Sequence, residues 1–343
     1  MRCHGDAEVN TVRAFLELSH GLHPAEWSSR HAKGEVPDHW PYGLDRLDHY
    51  GVRPIMRIPR RGKVAERLGR AARHRLGGYE WVDAFRRNSG DVVLCWDEYA
   101  GVPAILREHK KPVVTGVVWL TDDPAPRTAW FARRALRKAA GVWASSSAMI
   151  PRLRDDWGVK DPRHIPLGID VDFFKPQDKT EEGLVVSAGN DRHRDHHLLI
   201  RAVGKVPGAR LEIATRLPIP DLFARTGLNE GQVRDLYARA SVVAVATTPN
   251  VHASGLTVTL EAMASGRPVV IPDTPGLAEY VIPEETGLVY PVGDEDALAK
   301  CVQRLLGDEA MAVAMGQAAR RRVEREFSTE LQAARLAELI HHI

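Results

Sequence analysis

The stretch VHASGLTVTLEAMASGRPVVIPDTPG, Val251–Gly276, decides the fold, because it joins a helix start, a mid-helix carboxylate, a glycine stop and a buried strand in 26 residues. Ser254 reads as the N-cap and Gly255 lets a ligand approach the backbone. The first turn that follows, with Leu256 and Thr257, offers free N–H groups and the positive end of the helix dipole to an anion. Glu261 lies about two turns further on, so its carboxylate shares the face of the cap and reaches hydroxyls of a ligand whose phosphates sit at the helix start. A nucleoside diphosphate has that shape. Gly266 closes the helix, Pro268 forbids its continuation, and Val269, Val270 and Ile271 form a short strand buried on both faces.

Outward from this stretch, strand and helix alternate in both directions. LVVSAG (Leu184–Gly189), a helix near His197–Val206, RLEIAT, a helix near Glu230–Arg239, SVVAVAT, the Glu261 helix, RPVVIP and a helix near Glu295–Leu306 make one α/β domain. Upstream, VRAFLELS (Val12–Ser19), DVVLCW (Asp91–Trp96), VPAILREH, PVVTGVVWL (Pro112–Leu120), a basic helix near Arg127–Ala140 and GVWASS (Gly141–Ser146) make another. Between them, Ile165–Gly183 holds Pro, Gly and charge without a sustained period. The expected division is residues 1–165, a linker at 166–182, a second domain at 183–326 and a C-terminal amphipathic helix at 327–343 that packs back on either domain. Both domains read as Rossmann-like units.

The 343 residues are 44% hydrophobic and 27% charged, enough for two cores. Lys plus Arg total 47 against 45 Asp plus Glu, and this net charge of +2 offers no global argument for a nucleic-acid partner. One local run, RPIMRIPRRGKVAERLGRAARHR (Arg53–Arg75), is basic apart from Glu66. It is either a solvated loop and helix or an attractor for an anionic acceptor, a carrier or a peripheral membrane contact. Cys3, Cys95 and Cys301 have neither metal-ligand spacing nor disulfide density, so they read as thiols of a reducing, cytoplasmic compartment. The N-terminal segment lacks an apolar core, and no run approaches the roughly 18 apolar residues of a membrane span.

HIPLGIDVDFFKP (His164–Pro176), SGLTVTLEAMASGRPVVIPDTPGLAEYV and ETGLVYPVGDEDALAKCV occur in an order that resembles the family 4 retaining glycosyltransferases of the GT-B fold. The resemblance covers most of residues 140–327. It implies two Rossmann-like domains facing each other across a cleft, with the acceptor bound by the first and a nucleotide sugar by the second. The family's Glu-x7-Glu motif puts its second glutamate on Glu261, which the resemblance implies holds the donor ribose. Its first falls on Ala253, a departure at the place where the family contacts the transferred sugar; His252, Asn250 or the backbone at Ser254 and Gly255 are the substitutes at hand. The loop AGNDRHRDHH (Ala188–His197) sits where the family carries cations for the diphosphate, so Arg192 and Arg194 are the matching candidates, with Gly189 and Asn190 beside them. His193, His196 and His197 have no carboxylate or cysteine partner at convincing spacing, so no metal is expected, nor any cofactor beyond the donor substrate.

The first domain resembles the family less. HGLHP places His20, Gly21 and His23 in the first strand-to-helix loop, as acceptor or phosphate contacts. The family's histidine after a later strand falls on Val118, a second departure. Trp119, Asp122 and Asp123 lie near enough to serve the cleft, or else are a core aromatic and a helix cap, and Trp96, Asp97 and Glu98 also end a strand. The expected activity is transfer of a hexosyl unit from a UDP- or GDP-sugar to an acceptor hydroxyl or amine, with retention of configuration. The acceptor is a small molecule, carrier-bound or lipid-linked, in specialised-metabolite or glycoconjugate synthesis. The alternative is a catalytically impaired nucleotide-sugar-binding relative.

Overall fold

The computed structural model describes residues 11–18, 22, 24–56, 78–81, 90–120, 122 and 124–343. His20, Gly21, His23, Asp123 and the basic run from residue 57 onward lie outside the described residues.

Two parallel sheets of six strands carry the chain. The first has the order β2-β1-β3-β4-β5-β6, from β1 (Val12–Glu17), β2 (Val52–Met56), β3 (Val92–Cys95), β4 (Val113–Gly116), β5 (Gly141–Ala144) and β6 (Pro162–His164). The second runs β12-β11-β10-β7-β8-β9, from β7 (Leu184–Ala188), β8 (Arg210–Ala214), β9 (Ala224–Arg225), β10 (Val242–Ala244), β11 (Val269–Pro272) and β12 (Leu288–Tyr290). The inner strands VVLC, VVTG, LVVSA and VVIP are buried at every position, as parallel strands covered on both faces must be.

Helices supply the covers. On one face of the first sheet pack α2 (Glu98–Arg107), α3 (Pro126–Leu136) and α4 (Met149–Asp155), while α1 (Pro24–Ala32) follows β1. Against the second sheet, α6 (Glu230–Arg239) and α7 (Leu256–Ala264) line one face, and α5 (His196–Gly204) and α8 (Glu295–Gly307) the other; α9 (Glu309–Glu326) adds residues to both. Capping follows local chemistry: Asp97, Asp195, Asn229 and Asp294 each accept an amide of the helix that follows, and Asn229 forms a reciprocal capping box with Gln232.

The last helix, α10 (Thr329–His341), returns to the first sheet. Ala333, Leu336, Ala337, Leu339 and Ile340 share a core with Ala14, Leu16, Leu44, Leu47 and Trp143. The chain therefore crosses between the domains twice, and the crossings are paired: Ile169 N–H donates to Phe327 C=O (2.8 Å) and Thr329 N–H to Ile169 C=O (3.1 Å). A β-carbon on Gly168 would lie 2.5 Å from Ser328 C=O, so only glycine admits this approach.

In each sheet the strand order reverses once, between β1 and β3 in the first and between β7 and β10 in the second. Loops leaving the carboxyl ends of strands at such a reversal diverge and open a crevice, the usual ligand position in doubly wound sheets. In the second sheet these are the loops after β7 and β10; among the described residues of the first domain, those that face the β7 loop follow β3 and β4.

Among the described residues no helix is long and apolar enough to cross a membrane.

Candidate functional site

The loop after β7 places Arg194 beneath the start of α7. Arg194 is 7% exposed, and its Nη2 donates to Ser187 Oγ (3.1 Å) and Ala188 C=O (2.6 Å). Nε and Nη1 are buried and have no hydrogen-bond partner among the described residues. Desolvation lowers the group to about 10, so it still carries its charge at neutral pH. A buried guanidinium with two idle donors is costly unless an anion completes it.

The start of α7 is built differently from the expectation that Ser254 caps it. Gly255 occupies the cap in a left-handed conformation (φ 92°), no side chain caps the first turn, and Ala253 is also left-handed (φ 59°). Two left-handed residues around Ser254 turn its side chain away from the first-turn amides, and Ser254 N–H is held instead by Asn250 Oδ1 (2.9 Å). A β-carbon on Gly255 would lie 2.4 Å from Arg194 Nη1. Glycine thus lets the guanidinium and the uncapped helix end share one spot, a concentration of positive field suited to a phosphate. Leu256 is buried in the core and Thr257 is exposed on the first turn.

Glu261, on the same helix, accepts a hydrogen bond from the Tyr237 hydroxyl (2.9 Å). Burial, partly offset by that bond, pushes its carboxyl up to about 8. Gly189 (φ 132°) brings the loop against Arg194, and its C=O accepts from Thr215 Oγ1 (2.8 Å). Asn190 Oδ1 accepts from Arg216 N–H (2.6 Å), tying the loop to the end of β8. Arg192 differs from Arg194: it is exposed, and its guanidinium reaches across to Asp122 C=O (2.6 Å) and to His193 Nε2 (3.1 Å).

The facing wall comes from the first domain. Glu98, at the start of α2, accepts the amides of Val118 (2.8 Å) and Trp119 (2.7 Å), and burial pushes its carboxyl up to about 7 against those bonds. Trp119 is 38% exposed, so it is not a core aromatic. Asp122 caps no helix; α3 begins at Pro126 with no side-chain cap. A cleft of about 310 Å³ lies between the walls, lined by Glu98, Trp119 and Thr128 on one side and Asn190, Asp191 and Arg192 on the other.

One arrangement was beyond sequence reasoning. His252, in the loop after β10, bonds Asp122 of the first domain through Nδ1 and Asp191 of the second through Nε2 (2.6 Å). Asp122 also accepts the amides of Val251 (2.9 Å) and His252 (3.1 Å), and Trp119 packs on the imidazole at 5.0 Å. Burial alone would lower His252, but the two carboxylates push it up to about 9. Burial also opposes ionisation of Asp191, yet His252 and the His193 amide hold it well below the usual carboxylate range. Among the described residues no group of three or more His, Cys, Asp or Glu is placed to hold a metal.

Residues 169–322 match the family model described as "Glycosyl transferases group 1". A lipopolysaccharide core biosynthesis mannosyltransferase, LpcC of Rhizobium leguminosarum bv. viciae, is 29% identical over 212 residues, 52% of this chain and 59% of that protein. A GDP-mannose-dependent alpha-mannosyltransferase of Mycobacterium tuberculosis is 27% identical over 308 residues, 78% of this chain and 77% of that protein. The chain spans less than two thirds of the first curated relatives: 59% of LpcC and 21% of the amylovoran biosynthesis glycosyltransferase AmsK of Erwinia amylovora. Among solved structures, sucrose-phosphate synthase from Thermosynechococcus elongatus superposes with a TM-score of 0.73 at 20% identity, covering 96% of this chain and 98% of that one. Anabaena HepE in complex with UDP-glucose superposes with a TM-score of 0.67 at 16% identity, covering 96% and 99%. With its two facing Rossmann-like sheets the chain has the GT-B fold of those structures, and its second domain, which carries the family match, is similar to that of the family 4-like glycosyltransferases.

Proposed function

We propose that this chain transfers a hexosyl unit from a UDP- or GDP-sugar to a hydroxyl or amine of an acceptor, with retention of configuration. The observation that carries the reading is the buried Arg194, whose Nε and Nη1 have no partner among the described residues, beside the uncapped start of α7. Breaking the sugar–phosphate bond leaves negative charge on the terminal phosphate, and fixed donors in a closed cleft stabilise that charge better than water does. Glu261 has one oxygen on Tyr237 and the other for a ribose hydroxyl, two turns along the same helix. The names of the relatives support a nucleotide-sugar donor: GDP-mannose in the mycobacterial protein, UDP-glucose in the HepE complex. Gly189, Asn190, Ser254 and Thr257 complete the donor side in this reading, while Glu98 and Trp119 face it from the acceptor side.

Calorimetric titration of UDP and GDP tests the reading. One nucleotide should bind, Arg194→Ala should weaken it on the order of 100-fold, as loss of a charge-assisted contact in a buried site does, and Glu261→Ala on the order of 10-fold. Absence of nucleotide binding, or binding that ignores Arg194, would overturn it. Ala253 favours one second reading, a nucleotide-sugar-binding protein without turnover; release of UDP or GDP from a sugar donor in the presence of mixed acceptors excludes that.

A further inference from the structure

We propose that Asp191 binds hydroxyls of the transferred sugar, and that His252 and Asp122 are positioning residues that set its carboxylate when the two domains meet. This rests on the nucleotide-sugar reading of the cleft. Asp191 lines the 310 Å³ cleft between Asn190 and Arg192, opposite Trp119 and Glu98, and lies three residues before the phosphate candidate Arg194. A sugar whose diphosphate rests on Arg194 and the start of α7 therefore projects along the wall that Asp191 forms.

The carboxylate has room for such a ligand. Oδ1 takes the His193 amide at 2.9 Å and Oδ2 takes His252 Nε2 at 2.6 Å, and the Ser254 hydroxyl adds a weaker contact, which leaves at least one of about four lone-pair directions. The remaining acceptor capacity suits hydroxyl donors, and sugar hydroxyls are donors of that kind. His252 cannot make these contacts itself, because both ring nitrogens are engaged by carboxylates. Ala253, next in sequence, ends at a methyl group and is 2% exposed, so it offers no polar atom either.

The placement of Asp122 gives the arrangement its second property. It belongs to the first domain, while His252 and Asp191 belong to the second, and its carboxylate gathers three donors from residues 251 and 252. The contact that orients the imidazole is therefore made between domains, and with it the contact that orients Asp191. Separation of the domains removes Asp122 and leaves the sugar-facing carboxylate with a partner free to rotate. Closure and donor-sugar recognition become one event.

The test separates the sugar from the nucleotide. UDP, GDP, UDP-glucose and GDP-mannose are titrated into the wild-type chain, Asp191→Asn and His252→Gln, and donor kcat and KM are measured for the sugar that binds. Asp191→Asn should leave nucleoside diphosphate affinity within about twofold and lower donor kcat/KM on the order of 100-fold, as loss of a charged hydrogen-bond acceptor does. His252→Gln should show the same selectivity with a smaller loss, carried mainly by kcat. Equal losses for nucleotide and nucleotide sugar, or no loss for either, overturn the assignment; if Asp191→Asn does not fold, the same comparison is read from His252→Gln. If the wild-type chain binds no nucleotide, the function reading fails and this inference falls with it; if it binds the donor and only the sugar-specific effect is missing, this inference alone falls.

Discussion

The two walls of the cleft differ in their cations, guanidinium groups standing on the second and carboxylates alone on the first, although both stand on parallel sheets of six strands. The second domain presents Arg194 and an uncapped helix start with donors left over, whereas the first presents Glu98 and Asp122, whose oxygens are already taken by backbone amides and an imidazole. An idle buried cation is poised for an anion. A buried carboxylate fed by amides is held in place and keeps only part of its acceptor capacity, which suits hydroxyls. The phosphate site thus lies on the second wall, beside the carboxylates of Asp191 and Glu261, while the first wall offers carboxylates alone, and the difference arises at strand ends rather than in the cores.

Gly255→Ala should break the comparison most severely. Its β-carbon would meet Arg194 Nη1 at 2.4 Å and Val245 Cγ1 at 2.5 Å, in a backbone with φ of 92°. Displacement of the guanidinium should cost the nucleotide ~30-fold or more in affinity by calorimetry. Strain and overpacking should also lower stability by about 1–3 kcal/mol, seen as a lower Tm.

Glu98→Gln sharpens the other side. Its amide group can accept from only one of the two backbone N–H groups and presents NH2 to the other, so denaturant unfolding should show a loss of about 1–2 kcal/mol. Nucleotide affinity should stay within twofold, because this wall does not hold the phosphates. A shift in nucleotide affinity as large as that of Gly255→Ala would end the division of labour between the walls.

The most gradual effect lies in pH. His252 is raised from 6.5 to about 9, so its contribution is fully present below about 6.5 and is lost as pH rises through about 9, on the order of 3 kcal/mol at most. Glu98 and Glu261, raised to about 7 and 8, act in the same direction. The informative quantity is the difference: stability of His252→Gln should fall less steeply than wild type between pH 6.5 and 9. Parallel curves would show that the imidazole carries no net charge in the bridge.

Much of the second wall is legible in sequence because it is local. Leu256 to Glu261 lies in one helix, the apolar runs of β7 and β11 leave no polar face to expose, and Gly266 followed by Pro268 stops a helix on steric grounds. The left-handed turns at Ala253 and Gly255 are less legible, since alanine gives no sign of a positive φ and serine is an ordinary cap. On the first wall, Pro112–Leu120 reads as one long strand, yet pairing ends at Gly116 because Glu98 captures the amides of Val118 and Trp119. The bridge from Asp122 to His252 spans 130 residues. Neither residue carries a local pattern that names the other, so only the docking of two domains reveals the pair.

The return of α10 to the first sheet has a consequence for synthesis. A chain emerging from the ribosome exposes the first domain's strands early, but Ala333, Leu336, Ala337 and Ile340, which cover part of that sheet, emerge after the whole second domain. The second domain, whose core residues end at Phe327, can therefore consolidate while the first still waits for its cover. The second core can close before the first is complete, and the apolar face around Leu44, Leu47 and Trp143 is the surface a nascent-chain chaperone would shield in the interval.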